Sequence, residues 1–298
     1  MSQVAVACHA KVNLFLRVLA REEDGFHSLE TLFCLLDLAD RLVVERREQP
    51  GVTIEVSGGD VGPATDNLAV RAARLVLEAT GHRFGVHLEL AKRIPVRAGL
   101  GGGSSDGAAA LLGVNRVAGD AVPRHELLQF AARLGSDVPF LLSGAPLALG
   151  WGRGERLMRL APLPEAPVLL LTPPVAVITA DAYRWVDEAR HGLGRRGAVA
   201  LEAGALATWG DIARMAGNDF ESAVFARHPE VREAFEALVT TRPTVCRMTG
   251  SGSTLFAVYR SDRDRDDAAM MLGRKYGIVT AARTLAAPPN ALTASANG

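Results

Sequence analysis

The 298-residue chain has no excess of charge of either sign, with 33 Lys and Arg against 33 Asp and Glu. Surfaces dedicated to nucleic acid usually show a basic excess, so this balance weighs against that class of partner. Cysteine is scarce. Cys8, Cys34 and Cys246 lie far apart in sequence, which excludes a Cys-x-x-Cys metal or redox motif. Three scattered thiols fit a reducing compartment, each as a small buried hydrophobe. Long apolar runs are also missing. The most apolar stretch, residues 167–178, is interrupted by Pro167, Pro173 and Pro174 and falls short of the roughly 20 residues a membrane span takes. Residues 1–15 have no basic region ahead of an apolar stretch, so a secretory signal is not expected. The expectation is a cytoplasmic protein with no membrane partner and no nucleic acid, as a monomer or weak homodimer.

The composition that remains is that of a globular chain. A hydrophobic share of 48% with 22% charged residues excludes a disordered or fibrous class. The length suggests two domains or one large one. No solenoid repeat is present. Glycine is abundant, at 30 residues, or about one in ten against an average near 7%.

Hydrophobic patterning predicts strands at 4–18, 41–45, 52–56 and 86–90, with the second and third of these joined around Pro50-Gly51. Helices are expected at 68–78, started by Asp66-Asn67, and at 108–117 and 124–134. A strand at 147–154 runs into the proline cluster Pro162, Pro164 and Pro167, where a domain boundary is placed. Beyond it come a strand at 168–171, a helix at 180–190, a loop at 192–197, and helices at 219–226 and 230–239. Strands at 245–248 and 254–259, a helix at 263–276 and a strand at 278–283 follow. The tail after Pro288 is expected to fray.

The strongest local feature is Gly99-Leu100-Gly101-Gly102-Gly103-Ser104-Ser105-Asp106, between a strand and a helix. Glycines allow positive φ and close approach of the backbone to a ligand. A helix N-terminus adds free N–H groups and partial positive charge, so the pair suits an anion such as phosphate. Ser104-Ser105-Asp106 offers N-cap chemistry, and Asp106 is expected to cap the helix rather than face phosphate. The loop is not a Walker A sequence, since no Gly-Lys pair exists in the chain, and it breaks the Gly-x-Gly-x-x-Gly fingerprint at Ser104. Gly103-Ser104-Ser105-Asp106-Gly107 does match the Gly-x-Ser-x-Gly nucleophile elbow of hydrolases, although the preceding strand is short and polar. A glycine-rich turn without a ligand is a further alternative.

From Pro95 to Ser105 the loop resembles that of the GHMP small-molecule kinases. Five further segments follow the family order: Ala10-Lys11-Val12-Asn13-Leu14-Phe15-Leu16, Asp24-Gly25-Phe26-His27-Ser28-Leu29-Glu30-Thr31-Leu32-Phe33, Gly135-Ser136-Asp137-Val138-Pro139-Phe140, Asn218-Asp219-Phe220-Glu221 and Thr249-Gly250-Ser251-Gly252-Ser253. They resemble the branch of that family whose acceptor is a cytidine-diphosphate-linked methylerythritol, in the non-mevalonate route to isoprenoids. Arg97-Ala98 depart from the pattern, and residues 190–217 match nothing in it.

The resemblance implies an α+β fold, with a ribosomal-protein-S5-like N-terminal domain (1–161) and a ferredoxin-like C-terminal domain (162–287), leaving 288–298 as a frayed tail. It implies ATP as co-substrate, with Mg2+, and transfer of the γ-phosphate to the acceptor's 2-hydroxyl. Lys11 and Asp137 match the catalytic positions. Asn13, Phe26, His27, Thr179 and Tyr183 match the acceptor side, His27 at the edge of cytosine and Phe26 and Tyr183 stacking on its faces. Asn67 and Lys92 fall near the adenosine. Gly99, Leu100, Gly101, Gly102, Gly103, Ser104 and Ser105 form the phosphate cradle, and Gly250, Ser251 and Gly252 pack beside it. No protein metal-ligand cluster is visible, as expected for Mg2+ held largely by nucleotide oxygens and water. A homoserine or mevalonate-type kinase, or a catalytically silent nucleotide-binding protein, are the rival readings.

Overall fold

Two long strands dominate the first half of the chain. β1 (Gln3–Arg21) and β2 (His27–Arg47) form one antiparallel hairpin around the turn at 22–26. Between Ala10 and Val18, apolar Ala10, Val12, Leu14, Leu16 and Val18 alternate with Lys11, Asn13, Phe15 and Arg17, and all nine are buried. Val4, Val6 and Cys8 pack with the helices, whereas Ala10, Val12 and Leu14 pack towards the second sheet. The register shifts between His9 and Lys11, and again between Asn13 and Phe15. Such bulges re-aim side chains, and these two bracket Lys11 and Asn13.

The computed structural model describes residues 2–190, 201–289 and 292–294. After β2 come β3 (Gly51–Ser57), α1 (Leu68–Ala79), β4 (Gly85–Ala91), α2 (Gly102–Val117), α3 (Arg124–Leu134), α4 (Val138–Ser143), β5 (Leu147–Gly152) and β6 (Arg156–Arg159). The chain continues through β7 (Pro167–Thr172), α5 (Thr179–Arg190), α6 (Trp209–Met215), β8 (Gly217–Asn218), α7 (Glu221–Arg227) and α8 (Pro229–Thr240). It ends with β9 (Val245–Met248), β10 (Leu255–Val258), α9 (Asp262–Leu272), β11 (Ile278–Arg283) and β12 (Leu292–Ala294). No helix of the described residues is long and apolar enough to cross a membrane.

The first sheet runs β12-β1-β2-β4-β3, with β5 and β6 attached along β2 and β8 along β1. The segments 41–45 and 52–56 are therefore not partners. The first belongs to β2, and β4 lies between β2 and β3. β3 and β4 are parallel, which requires a crossover, and α1 supplies it. The second sheet runs β11-β7-β10-β9, all antiparallel. With α8 before β9 and α9 between β10 and β11, it has the ferredoxin-like order β-α-β-β-α-β. The α+β architecture expected from the resemblance is the one observed.

The layers run helix, sheet, sheet, helix. Along β7, Val168 and Leu170 face the first sheet and Leu169 and Leu171 face α5, α7 and α8, the period-two alternation of a strand buried on both sides. The segment 160–166 carries the chain from one sheet to the other, but β8 and β12 return to the first sheet. Residues 292–294 thus pair with Val4–Val6 instead of fraying. The loop expected at 192–197 lies outside the described residues.

Helix α2 starts six residues earlier than its apolar pattern suggests. Its N-cap is Gly101, at φ 72°, not a side chain of 104–106. This left-handed conformation favours glycine, and a side chain there would also meet Lys11 Cγ at 3.0 Å. Gly101→Ala should therefore cost about 1–2 kcal/mol in chemical denaturation. A stability unchanged within 0.3 kcal/mol, roughly the noise of such comparisons, would show that the loop relaxes without strain. All three cysteines are buried and free, and burial pushes the Cys34 and Cys246 thiols up to about 12.

Candidate active site

The 99–106 segment is a wall between two cavities. On one side, a cavity of about 330 Å³ is lined by Asn67, Lys92, residues 95–104 and Asp106. On the other, one of about 260 Å³ is lined by Lys11, Asn13, Thr31, Asp137, Thr179, Tyr183 and Gly250 among others. Gly99, Gly101 and Ser104 border both. Because α2 begins at Gly102, the unbonded N–H groups of its first turn lie in this wall. Two ligands held in these cavities would meet there.

Lys11 and Asp137 come together at this wall from distant elements. The Lys11 backbone N–H donates to Leu100 O at 3.0 Å, tying β1 to the loop. The buried Lys11 Nζ lies 3.3 Å from Asp137 Oδ2 and donates to Asn13 Oδ1 at 2.7 Å. Asp137 is the N-cap residue of α4 by position, yet its side chain makes no capping bond. Its carboxylate is free to serve the cavity.

Asn13 has more structural work than expected. Its Oδ1 accepts from Lys11, from Gly250 N–H at 3.0 Å and from Thr249 Oγ1 at 3.3 Å. Its Nδ2 donates to Thr31 at 2.8 Å, leaving one amide N–H for a ligand. The amide thus fastens Lys11 to the 249–253 loop. That loop also presses on the phosphate loop, since a Cβ at Gly99 would lie 2.4 Å from Thr249 O. Gly252 closes the 249–253 turn through its N–H to Thr249 O at 3.1 Å, and Ser251 Oγ is 3.0 Å from Thr179 Oγ1.

The acceptor-side aromatics are assembled differently from the expected sandwich. His27 stacks on Tyr183, with centroids 4.6 Å apart and planes 19° apart, while Phe220 meets Tyr183 edge-on. His27 Nε2 lies 2.8 Å from Asp187 Oδ1. Tyr183 lines the cavity, and burial, with Asp137 nearby, pushes its hydroxyl up to about 12. Phe26 stands outside the cavity lining with one face against Arg153.

On the other side of the loop, two expectations change. Asn67 is where its sequence suggests, capping α1 with its Oδ1 accepting from Ala69 N–H at 2.9 Å while lining the larger of the two cavities. Ser105 is buried on the far side of α2, facing Val6, His9 and Leu35, and lines neither of the two cavities. Asp106 does not cap the helix. It sits inside the first turns and accepts from Lys92 Nζ at 2.6 Å, while Lys92 also donates to Asp40 at 2.5 Å. Asp40 in turn accepts from the backbone N–H groups of Arg93 and Ile94, fixing the strand end that leads into the loop. Burial pushes the Asp106 carboxyl up to about 7, with Lys92 opposing and Asp40 reinforcing the shift. Burial alone would lower Lys92, but its two carboxylates more than offset that and hold it above its usual value.

Several residues of the site carry no local signal. Asp40 merely ends an apolar stretch. Asn218 donates from Nδ2 to Met248 O and Gly250 O, both at 2.8 Å, and Glu221 Oε1 accepts from Met248 N–H at 2.9 Å. These belong to the 218–221 segment, whose motif was visible but whose clamping task was not.

A phosphate-type loop opening a helix, between an S5-like and a ferredoxin-like sheet, defines a small-molecule kinase of the GHMP class. The family patterns agree: GHMP kinases N terminal domain matches residues 67–145 and GHMP kinases C terminal matches residues 198–278. Within that class the chain is 40% identical over 271 residues to the 4-diphosphocytidyl-2-C-methyl-D-erythritol kinase of Solibacter usitatus, covering 89% of this chain and 84% of that one. It is 41% identical over 279 residues to the enzyme of that name from Symbiobacterium thermophilum, covering 90% and 94%. A crystal structure of 4-(cytidine 5'-diphospho)-2C-methyl-D-erythritol kinase matches with a TM-score of 0.78 at 38% identity, over 94% of this chain and 98% of that one. A homoserine kinase from Cytophaga hutchinsonii, at 20% identity and a TM-score of 0.67 over 96% and 95%, shares the fold alone. The chain belongs to the 4-diphosphocytidyl-2-C-methyl-D-erythritol kinases.

Proposed function

We propose that this protein transfers the γ-phosphate of ATP to the 2-hydroxyl of 4-diphosphocytidyl-2-C-methyl-D-erythritol. The observation that carries the reading is the pair of cavities sharing the Gly99–Ser104 wall, with Lys11 and Asp137 3.3 Å apart on the acceptor side. Phosphoryl transfer needs in-line placement and charge neutralisation more than covalent help. ATP occupies the Asn67–Lys92 cavity, with its phosphates over the N–H groups at the start of α2. The acceptor hydroxyl lies against Asp137, which takes or orients its proton. Lys11 neutralises charge on the moving phosphoryl group.

On the acceptor side, Asp187 receives the His27 Nε2–H, which leaves Nδ1 as an acceptor suited to the exocyclic amine of cytosine. Tyr183 and Thr179 complete the cavity. His27→Ala should raise the acceptor's Michaelis constant about tenfold while leaving that of ATP in place. An unchanged acceptor constant would remove this role.

The donor set around the nucleotide cavity suits Mg2+ bound chiefly to phosphate oxygens. Ser104 supplies a hydroxyl on the shared wall, and Asp106 Oδ1 is a buried oxygen without a hydrogen-bond partner among the described residues. There the ion would neutralise phosphate charge. The need for ATP supports the reading of a cytoplasmic protein.

The deciding experiment is ADP release with Mg-ATP and a panel of acceptors: the cytidyl compound, mevalonate, homoserine and galactose. Turnover confined to the cytidyl compound is the expected result. Turnover confined to another acceptor would retain the kinase and discard the assignments of Phe26, His27 and Tyr183.

A further inference from the structure

The turn between β5 and β6 joins two parts of the acceptor site that are far apart in sequence. It contains Gly152-Arg153-Gly154, closed by Gly154 N–H to Trp151 O at 3.2 Å and by Arg153 N–H to Glu155 Oε2 at 2.7 Å. One side of the turn rests on the residue before Asp137, since a Cβ at Gly154 would lie 3.3 Å from Ser136 O. From the other side Arg153 reaches the β1–β2 turn. Its Nη2 donates to Glu22 Oε2 at 2.8 Å and to Asp24 Oδ2, and its Nε to Glu22 at 3.3 Å. Asp24 Oδ1 accepts the Phe26 N–H at 3.2 Å.

The guanidinium carbon lies 4.0 Å from the centre of the Phe26 ring. Phe26 is 57% exposed, so an aromatic ring on a hairpin turn is held from one face while the other stays open. A planar guanidinium can stack on a ring and pair with carboxylates at the same time, which an ammonium does poorly. The hydrogen bonds from Arg153 hold the Asp24 carboxyl below its usual value. The assembly is a chain of contacts from Ser136, beside Asp137, to the Phe26 ring.

We propose that Arg153 is a positioning residue that acts through Phe26, setting the distance between the surface on which the acceptor's base stacks and the carboxylate that receives its hydroxyl. The proposal rests on the cytidyl acceptor assigned above. It makes Arg153 a determinant of acceptor choice, because an acceptor without a ring at that distance gains nothing from the link. Arg153 also lines the acceptor cavity, so direct contact with the acceptor's diphosphate is the competing role.

Steady-state ADP release with Mg-ATP and the cytidyl acceptor separates these roles in the wild type, R153A, R153K, F26A and R153A/F26A. Arg153→Ala should raise the acceptor's Michaelis constant about tenfold, change kcat by less than about threefold and leave both the ATP constant and the melting temperature in place. Arg153→Lys should recover only part of the loss. The double variant should be no worse than Phe26→Ala alone, because the two side chains act as one unit. Additive losses would assign Arg153 to the acceptor itself and overturn the proposal. So would an unchanged acceptor constant in R153A, or a parallel loss of ATP affinity and melting temperature. If the wild type fails to use the cytidyl compound, the substrate reading falls and the proposal with it, an outcome distinct from a normal wild type with a silent Arg153 variant.

Discussion

Replacing Asp137 with alanine is expected to lower kcat by about a thousandfold, within the range found for a positioned acid or base. The geometry separates this effect from folding. Asp137 bonds to α4 only through its backbone carbonyl, which accepts from Leu141 N–H at 3.2 Å, so the helix does not need the carboxylate. Its contact is with Lys11, whose ammonium keeps a second partner in Asn13 Oδ1 at 2.7 Å when the carboxylate is removed. The melting temperature and the Michaelis constant for ATP should therefore stay near wild type. Asp137→Asn then distinguishes two roles for one residue. The amide can orient a hydroxyl but cannot accept its proton, so activity within tenfold of wild type would assign Asp137 to orientation. Single-turnover measurement of ADP formation reads the chemical step directly. A Asp137→Ala enzyme that retained a tenth of wild-type kcat would sink the assignment.

The second large effect is expected from Lys92→Met, and it is on stability. Lys92 Nζ is the cation between two buried carboxylates, at 2.5 Å from Asp40 and 2.6 Å from Asp106. Removing one partner of a buried ion pair costs about 3–5 kcal/mol, because the remaining charge is left uncompensated. A melting temperature lower by roughly 5–8 °C follows for a chain of this size. The loss should be larger at pH 8 than at pH 5, because acid neutralises the orphaned carboxylates. In the wild type, Asp106 titrates near 7, above its value in the unfolded chain, because of burial and the neighbouring Asp40. The folded state then binds the extra proton, so the stability linked to Asp106 is present below about pH 4 and is lost as pH rises through 7. Asp106→Asn should flatten that slope. A Lys92→Met protein that melts within 2 °C of wild type, or loses equally at both pH values, would show that the cluster is not the charged network described.

The parts of the molecule legible from sequence are those built by neighbours in the chain. Helix α3 lies where its spacing and Gly135 place it, and the glycine loop opens a helix. Less legible were features that depend on distant partners. The separation of β3 from β2 depends on β4, which arrives more than thirty residues after the apparent turn. Asp40 reads as the polar end of a strand because its partners, Lys92, Arg93 and Ile94, lie 52 to 54 residues away. Ser104 and Ser105 look equivalent on paper. The early start of α2 turns one towards both cavities and the other into the core. Lys11 and Asp137 were singled out only through family resemblance, since a strand lysine and a helix-start aspartate are ordinary residues taken singly.

Strand β1 has one further consequence, for how the molecule is made. Its far edge is covered at Phe15 and Leu16 by β8, and at Val4–Val6 by residues 292–294. Both covers are among the later parts of the chain to leave a ribosome. At ordinary elongation rates of about 5–20 residues per second, the first strand waits roughly 15–60 seconds for its last neighbour. During that interval a long, apolar strand edge has open hydrogen-bonding groups, the kind of surface that recruits other chains. The bulge between Asn13 and Phe15 has its extra residue in β1 and so bends that edge in its middle. The kink that helps aim Lys11 and Asn13 therefore also shortens the stretch on which a neighbouring nascent chain could align.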